Sequence, residues 1–444
     1  MSSTLPVILA GIAGVVMLGL MAMNVAKKRG MLIAFGGLLL FGSIAVGRDW
    51  KDNAIPGIWL TIQSYRSEGY FLFGVLLLGL ILIQIWRGSG KGVSAAAWLL
   101  VLLSFYAATL RFFHNGPADG LFSIAFVIGT VVPVAMLPRL VIDDFEDFLR
   151  ILRTVCVVST GWLAMCAMQF VVNPRHLTTG NENRFLGLLS NPQHAAALAA
   201  FTAVVAVWLL LNDSYRRYVL VYAALAGINM ILIAWAGSRT GMGMVVVGLS
   251  FVLFSRAGRA ILLLPIVALL GVVLFKLLGQ AEGLGSGLDR LASTENTRSE
   301  AWQTLLATGR GAPMIGVGME DIDRSENSWL YAFAAYGIGA AALSVLATAL
   351  MVWEMLKLGA KRFGAEVLAK PYIDFVLGFV MMYLAGAVFE GYMIARVGAP
   401  SVFIVMVLSM GAVLRKNLLS QHPVMHDEGA EYAEEYDDTA YSGA

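Results

Sequence analysis

The feature that most constrains this chain is a succession of apolar runs, each close to the length of a membrane span. A helix needs about 20 apolar residues to cross the hydrocarbon, and only a helix or a closed barrel keeps every backbone donor and acceptor paired there. Roughly thirteen such runs can be read. They lie at 5–24, 31–47, 70–86, 93–110, 120–138, 152–172, 194–211, 218–236, 242–254, 260–278, 328–352, 373–395 and 398–414. Composition agrees: 59% of the 444 residues are hydrophobic and only 14% are charged, against about 25% charged in an average soluble protein. So few charges cannot cover a water-facing surface, which excludes a cytosolic enzyme, a disulfide scaffold and a disordered chain. The expected fold is an all-α polytopic membrane protein of about 12–13 transmembrane helices, with a long outer loop between the tenth and the eleventh. A formal net charge of +2 provides no whole-molecule field for nucleic acid. Cys156 and Cys166 share one apolar run, about 15 Å apart on a helix, too far for a disulfide with each other.

Orientation follows from the cations. Alternate loops carry Lys27, Lys28 and Arg29; Arg87 and Lys91; Arg139, Arg150 and Arg153; Arg216 and Arg217; Arg256 and Arg259; Lys357, Lys361, Arg362 and Lys370; and Arg415 and Lys416. All fall on one side, which the positive-inside rule assigns to the cytoplasm, leaving the N-terminus outside and the C-terminus inside. No positive charge precedes the first run, which therefore reads as a retained span and not a signal peptide. The polytopic part covers 1–420, and 421–444 is an acidic, aperiodic cytoplasmic tail. The longest polar stretch, 279–327, lies on the outer side. The amphipathic segment 142–150 is expected along the inner interface, and 48–69, with Trp50 and Trp59, in the outer aromatic belt.

Three outer arginines stand in turn-rich contexts. Arg184 lies in Asn183-Arg184-Phe185-Leu186-Gly187, ahead of Asn191-Pro192. Arg239 lies in Gly237-Ser238-Arg239-Thr240-Gly241. Arg298 opens a helix that has capping-box spacing at Thr297 and Glu300 and ends near Gly309. Taken singly, each reads equally as a solvated or snorkelling charge. Together they suggest an anion site at the outer face, because a planar guanidinium pairs bidentately with phosphate. A lipid-linked pyrophosphate is the anion expected at that depth. The long loop continues through Gly316-Val317-Gly318, a turn expected to expose backbone amides, then Arg324, Ser325, Glu326 and Asn327. Ser325 or Asn327 is placed to cap the next span, which contains Tyr336-Gly337-Ile338-Gly339. Glu390, near the outer end of the twelfth run, reads either as functional or as half of a structural ion pair. His114, His176 and His194 lie toward the same side without metal-ligand spacing, so neither metal nor cofactor is expected.

The order of these motifs resembles the O-antigen ligase and O-antigen polymerase superfamily of bacterial envelope glycosyltransferases. The resemblance covers about 165–345: Arg-Phe-x-Gly with Asn-Pro, Ser-Arg-Thr-Gly, Arg298 to Trp302 as Arg-x-x-x-Trp, Gly-x-Gly, a polar residue plus Asn, and Tyr-Gly-Ile-Gly. It implies a multi-pass protein of the bacterial inner membrane with a periplasmic active site and the 279–327 loop in the periplasm. It further implies that Arg184, Arg239 and Arg298 hold the pyrophosphate of an undecaprenyl-linked glycan, with Asn327, Gly316, Gly318 and Arg324 lining the substrate. Ligases of this family carry a His where this chain has Glu326. A carboxylate can also accept a hydroxyl proton. The departure favours a polymerase of glycan repeats, with a chain-length regulator as a possible partner. Ligation of finished glycan to a lipid or protein acceptor is the alternative within the family. A lipid-linked oligosaccharide flippase or secondary transporter is the alternative from another class. Asp321 and Asp323 are the other candidate bases in the loop.

Overall fold

The computed structural model describes residues 28–45, 66–86, 93–179, 183–189, 191–257, 298–322, 325–393 and 399–419. The runs expected at 5–24 and 260–278, the aromatic segment 48–69 and the tail 421–444 lie outside the described residues, as does Arg324. Among the described residues there are twelve α-helices and no strand beyond one isolated bridge, Thr178 to Phe185. In chain order they are α1 (Lys28–Ala45), α2 (Arg66–Trp86), α3 (Ala95–His114), α4 (Pro117–Val141), α5 (Phe145–Val172), α6 (Pro192–Asn212), α7 (Val219–Trp235), α8 (Arg239–Ala257), α9 (Arg298–Gly311), α10 (Ser328–Arg362), α11 (Lys370–Phe389) and α12 (Ala399–Val413). Eight are long and apolar enough to cross a membrane, and α7 and α8 are shorter apolar helices. Together they make an all-α, multi-pass membrane protein.

The basic loops meet at one end of the bundle. Lys28 pairs with Asp143 and Asp147, Arg153 with Glu146 and Asp213, and Arg362 with Asp374. Lys361 donates to the Arg415 carbonyl and Lys416 to that of Val93. Glu354, buried inside the bundle, accepts from Ser94 Oγ and from the Ala95 amide, which closes the N-terminus of α3 from a neighbouring helix. The amphipathic segment 142–150 does not form a helix of its own. Its second half forms the first turns of α5. Phe148 is fully buried against Trp208, Tyr372 and Phe375. Asp143, Glu146, Asp147 and Arg150 take part in ion pairs, and Asp144 caps α5. Cys156 and Cys166 are free and buried.

The second departure concerns α10. The run 328–352 reads as one span, but the helix breaks at Gly337, where φ is 75° and ψ is −170°. Trp329 Nε1 donates to Thr348 Oγ1 at 3.0 Å. On a straight helix these residues would stand about 28 Å apart, so the leg 328–336 folds back against 338–362. The span is therefore 338–362, and 328–336 is a re-entrant leg whose start lies on the order of 15 Å below the tip at Gly337.

Such a break strands backbone groups, and the preceding loop takes them up. Val317 N donates to Ala334 O, Gly318 N to Ala335 O and Ile338 N to Pro313 O. The loop backbone presses so closely that a Cβ on Gly337 would sit 2.3 Å from the Met314 carbonyl oxygen. One on Gly316, at φ 69°, would sit 2.3 Å from the Ala335 carbonyl carbon. Gly337→Ala is expected to lose about 1–3 kcal/mol or more of stability, from positive φ and backbone overlap together. Gly227→Ala, at a helical site with open space around it, serves as a neutral control. Thermal unfolding of both variants in detergent checks the expectation, and equal midpoints would refute it.

Candidate functional site

Three segments bring the arginines together. The first is the loop 183–189. Phe185 is buried between Trp235 and Trp162, and Gly187 takes φ 58° directly over the Trp162 ring. With Phe185 pinned, Arg184 is carried inward to 6% exposure, and its Nε donates to Ala236 O at 2.8 Å. Trp235 Nε1 donates to Asn183 O, strapping the loop to the turn before α8. At that turn Ser238 Oγ caps α8 by accepting from Gly241 N, and it donates to Gln193 Oε1 at the start of α6. Arg239 and Thr240 are thereby set on the first turn of α8.

The second segment is α9, whose first residue is Arg298. Arg298 Nη2 donates to Thr240 Oγ1 at 2.7 Å and lies 3.8 Å from Glu390 Oε1. Its guanidinium sits 4.4 Å from the centre of the Phe389 ring. Gly309, near the other end of α9, abuts Phe333 on the re-entrant leg. Arg298 therefore stands at the recessed end of α9 and not at its rim.

The third segment is the re-entrant chain 325–328 against 390–393. Asn327 adopts φ 70° and caps α10 with its side chain, accepting from Trp329 N and Leu330 N. Ser328 Oγ donates to Glu390 O at 2.7 Å and accepts from Met393 N. Asn183 and Asn327 are the non-glycine residues with positive φ among the described residues. Each adjoins a candidate residue, Arg184 or Glu326, and such strain persists only where surroundings enforce it.

Glu390 is the centre of the constellation. α11 ends at Phe389, short of the 395 expected from hydropathy, and Glu390 leaves the helix in an extended conformation. It is 5% exposed, and Thr240 Oγ1 reaches its Oε1 at 3.4 Å. Burial pushes its carboxyl up to about 8; Arg298, Thr240 and Arg184 oppose the rise and Glu326 adds to it. Burial lowers the basicity of Arg298, Arg239 lowers it further, and Glu390 and Glu326 oppose this. Tyr392, two residues on, is held well above the usual tyrosine range by burial and by Glu390. Its hydroxyl donates to the Gln193 carbonyl at 3.4 Å.

Arg184, Arg239, Arg298 and Glu326 thus all act on one another or on Glu390. Gly316 and Gly318 stand elsewhere. The Gly316 amide donates to Ala312 O and that of Gly318 to Ala335 O, so neither amide is presented to a ligand as the turn reading expected. A short polar turn looks the same in sequence whether it binds an anion or seals a helix break. Asn327 caps and positions. Of the other candidates, Asp321 is exposed, Asp323 and the His176 side chain lie outside the described residues, and His114 contacts the Ile315 carbonyl beneath Gly318. The His194 ring packs beside Tyr392. In the sequence Thr240 stands only as part of a turn, and Gln193 and Phe389 carry no motif signal. No group of acids, histidines and cysteines that could hold a metal ion occurs among the described residues.

The helix N-termini of α6, α8 and α10 also gather here, joined through Gln193, Ser238, Thr240, Glu390 and Ser328. Their dipoles add positive potential to the arginines, and low polarisability around them strengthens it. Glu326 Oε2 and Trp302 Nε1, the latter one turn after Arg298, are buried without a hydrogen-bond partner among the described residues. Buried polar atoms of this kind are rare without a ligand or water to satisfy them. The arrangement suits an anion, with an acid and a base beside it. No protein-family model matches the chain, and no curated protein matches it.

The raised Glu390 carboxyl has a stability consequence. The folded state holds its proton more tightly than the unfolded chain, so stability falls as pH rises from about 4.5 to about 8 and then levels. The decline expected from this one group is at most about 5 kcal/mol. Glu390→Gln should remove that slope, and unfolding midpoints measured across this range will show whether it does.

Proposed function

We propose that this protein is a periplasmic-face glycosyltransferase of the bacterial inner membrane that polymerises undecaprenyl-pyrophosphate-linked glycan repeats. The observation that carries the reading is Arg298 set against the buried acid Glu390, with Arg184 bearing on that acid and Arg239 on Arg298, at the end of the bundle opposite the basic loops. The motif order that resembles the O-antigen ligase and polymerase superfamily contributes all three arginines and Glu326, and these are the residues that meet.

In this reading the acceptor hydroxyl oxygen attacks the anomeric carbon of the donor sugar. The bond between that carbon and the pyrophosphate oxygen breaks, inverting the centre. Glu326 takes the hydroxyl proton, which suits a carboxylate oxygen that is buried and without a hydrogen-bond partner among the described residues. The guanidiniums stabilise the negative charge that grows on the departing pyrophosphate, where preformed donors act most strongly. Asn327 holds the Glu326 backbone in place through its cap on α10. The energy comes from the bond between sugar and pyrophosphate.

Purified protein incubated with a lipid-linked oligosaccharide alone is expected to lengthen the glycan and release lipid pyrophosphate. Arg239→Lys keeps the charge and loses the planar fork, and is expected to slow transfer by about a hundredfold. Glu326→Gln should slow it at least as much. Undiminished polymer from both variants would overturn the assignment. Transfer of the donor glycan to a different terminal acceptor, with no lengthening, would favour a ligase.

A further inference from the structure

Glu390 lies outside the residues given roles in the transfer step, yet it occupies the middle of the cationic cluster. Its Oε1 is 3.4 Å from Thr240 Oγ1 and 3.8 Å from Arg298 Nη2, and those two donors are 2.7 Å apart. The triangle leaves the carboxyl and a bound phosphate oxygen competing for the same two donors. Among the described residues, charged or titratable groups face it from several elements. These are Arg184 from the 183–189 loop, Arg239 from α8 acting through Arg298, Arg298 from α9, Glu326 before α10, and Tyr392 on its own strand of chain. The His194 ring of α6 packs behind Tyr392.

We propose that Glu390 is part of the anion site as a neutral carboxylic acid, donating its O–H to the bound diphosphate, so that ionisation of Glu390 and occupancy of the site exclude each other. Ionised, the carboxylate claims Arg298 and Thr240 and repels the ligand. Protonated, it releases both donors and adds one of its own. A carboxyl pushed up to about 8 is mostly in that second form at neutral pH. The inference deepens the transfer reading by assigning a ligand-contacting group, and it rests on that reading for the identity of the anion.

The test uses the full chain in detergent or nanodiscs and a short-chain prenyl diphosphoryl sugar as probe. Such a diphosphate diester keeps a constant charge between about pH 5 and 10. Wild-type affinity should hold steady at lower pH and fall about tenfold per unit above about pH 8. Glu390→Gln keeps size and a donor but cannot ionise, so its affinity should stay near the low-pH wild-type value throughout. Glu390→Asp keeps the titration and should keep the fall, which preserves the test if the Gln variant does not fold. A pH-independent wild type, a Gln variant that falls in parallel, or no binding at any pH would overturn the proposal. Transfer is scored separately. pH-gated binding without transfer keeps this inference and sinks the transferase reading, and transfer with pH-flat binding does the reverse.

Discussion

A backbone break inside an apolar bundle must have its stranded amides and carbonyls paired by protein, because lipid offers nothing in exchange. Gly337 makes such a break, and the chain answers it with 312–318, whose amides and carbonyls complete those left by the fold-back. The rest of the site depends on this exchange. It fixes α9 against the re-entrant leg, turns Arg298 downward, and sets 325–328 beside 390–393. An unbroken α10 would carry Ser328 well above Glu390, and the acid and its arginine would not share a neighbourhood.

The two ends of the bundle handle charge in different ways. At the basic end, cations lie in close ion pairs that hold loops and helix starts in register, as Arg153 does with Glu146 and Asp213. Their role there is structural, and hydrogen bonds from Arg153, the Tyr215 amide and Tyr222 keep Asp213 below the usual carboxylate range despite its burial. At the other end a nearly inaccessible carboxyl sits among guanidiniums and the starts of three helices. Burial raises that carboxyl further than these cations lower it.

Some of this was legible in the chain and some was not. Eleven of the expected runs coincide with described helices, because apolar length is a local property and the bilayer requirement acts on each segment alone. The three arginines were legible as exceptions in turn-rich contexts, and Asn327 as a cap. The amphipathic segment 142–150 shows an apolar face but not its partners, because hydrophobic periodicity identifies a face and not what covers it. The Gly316–Gly318 turn misled for a related reason: glycines admit a close backbone approach without saying whose backbone approaches. Glu390 was visible as an anomaly, with a functional and a structural reading of equal standing.

By itself, then, the sequence determined the solvent, the helical class, the sidedness of the basic loops and the identity of the unusual charges, since each follows from residues near one another in the chain. Only the tertiary structure decided that α10 reverses at Gly337, that Arg298 faces inward, and that Glu390 is the acid Arg298 and Thr240 share. Those facts rest on pairings between segments some 20 to 150 residues apart, such as Trp329 with Thr348 and Thr240 with Glu390, whose partners no local pattern specifies.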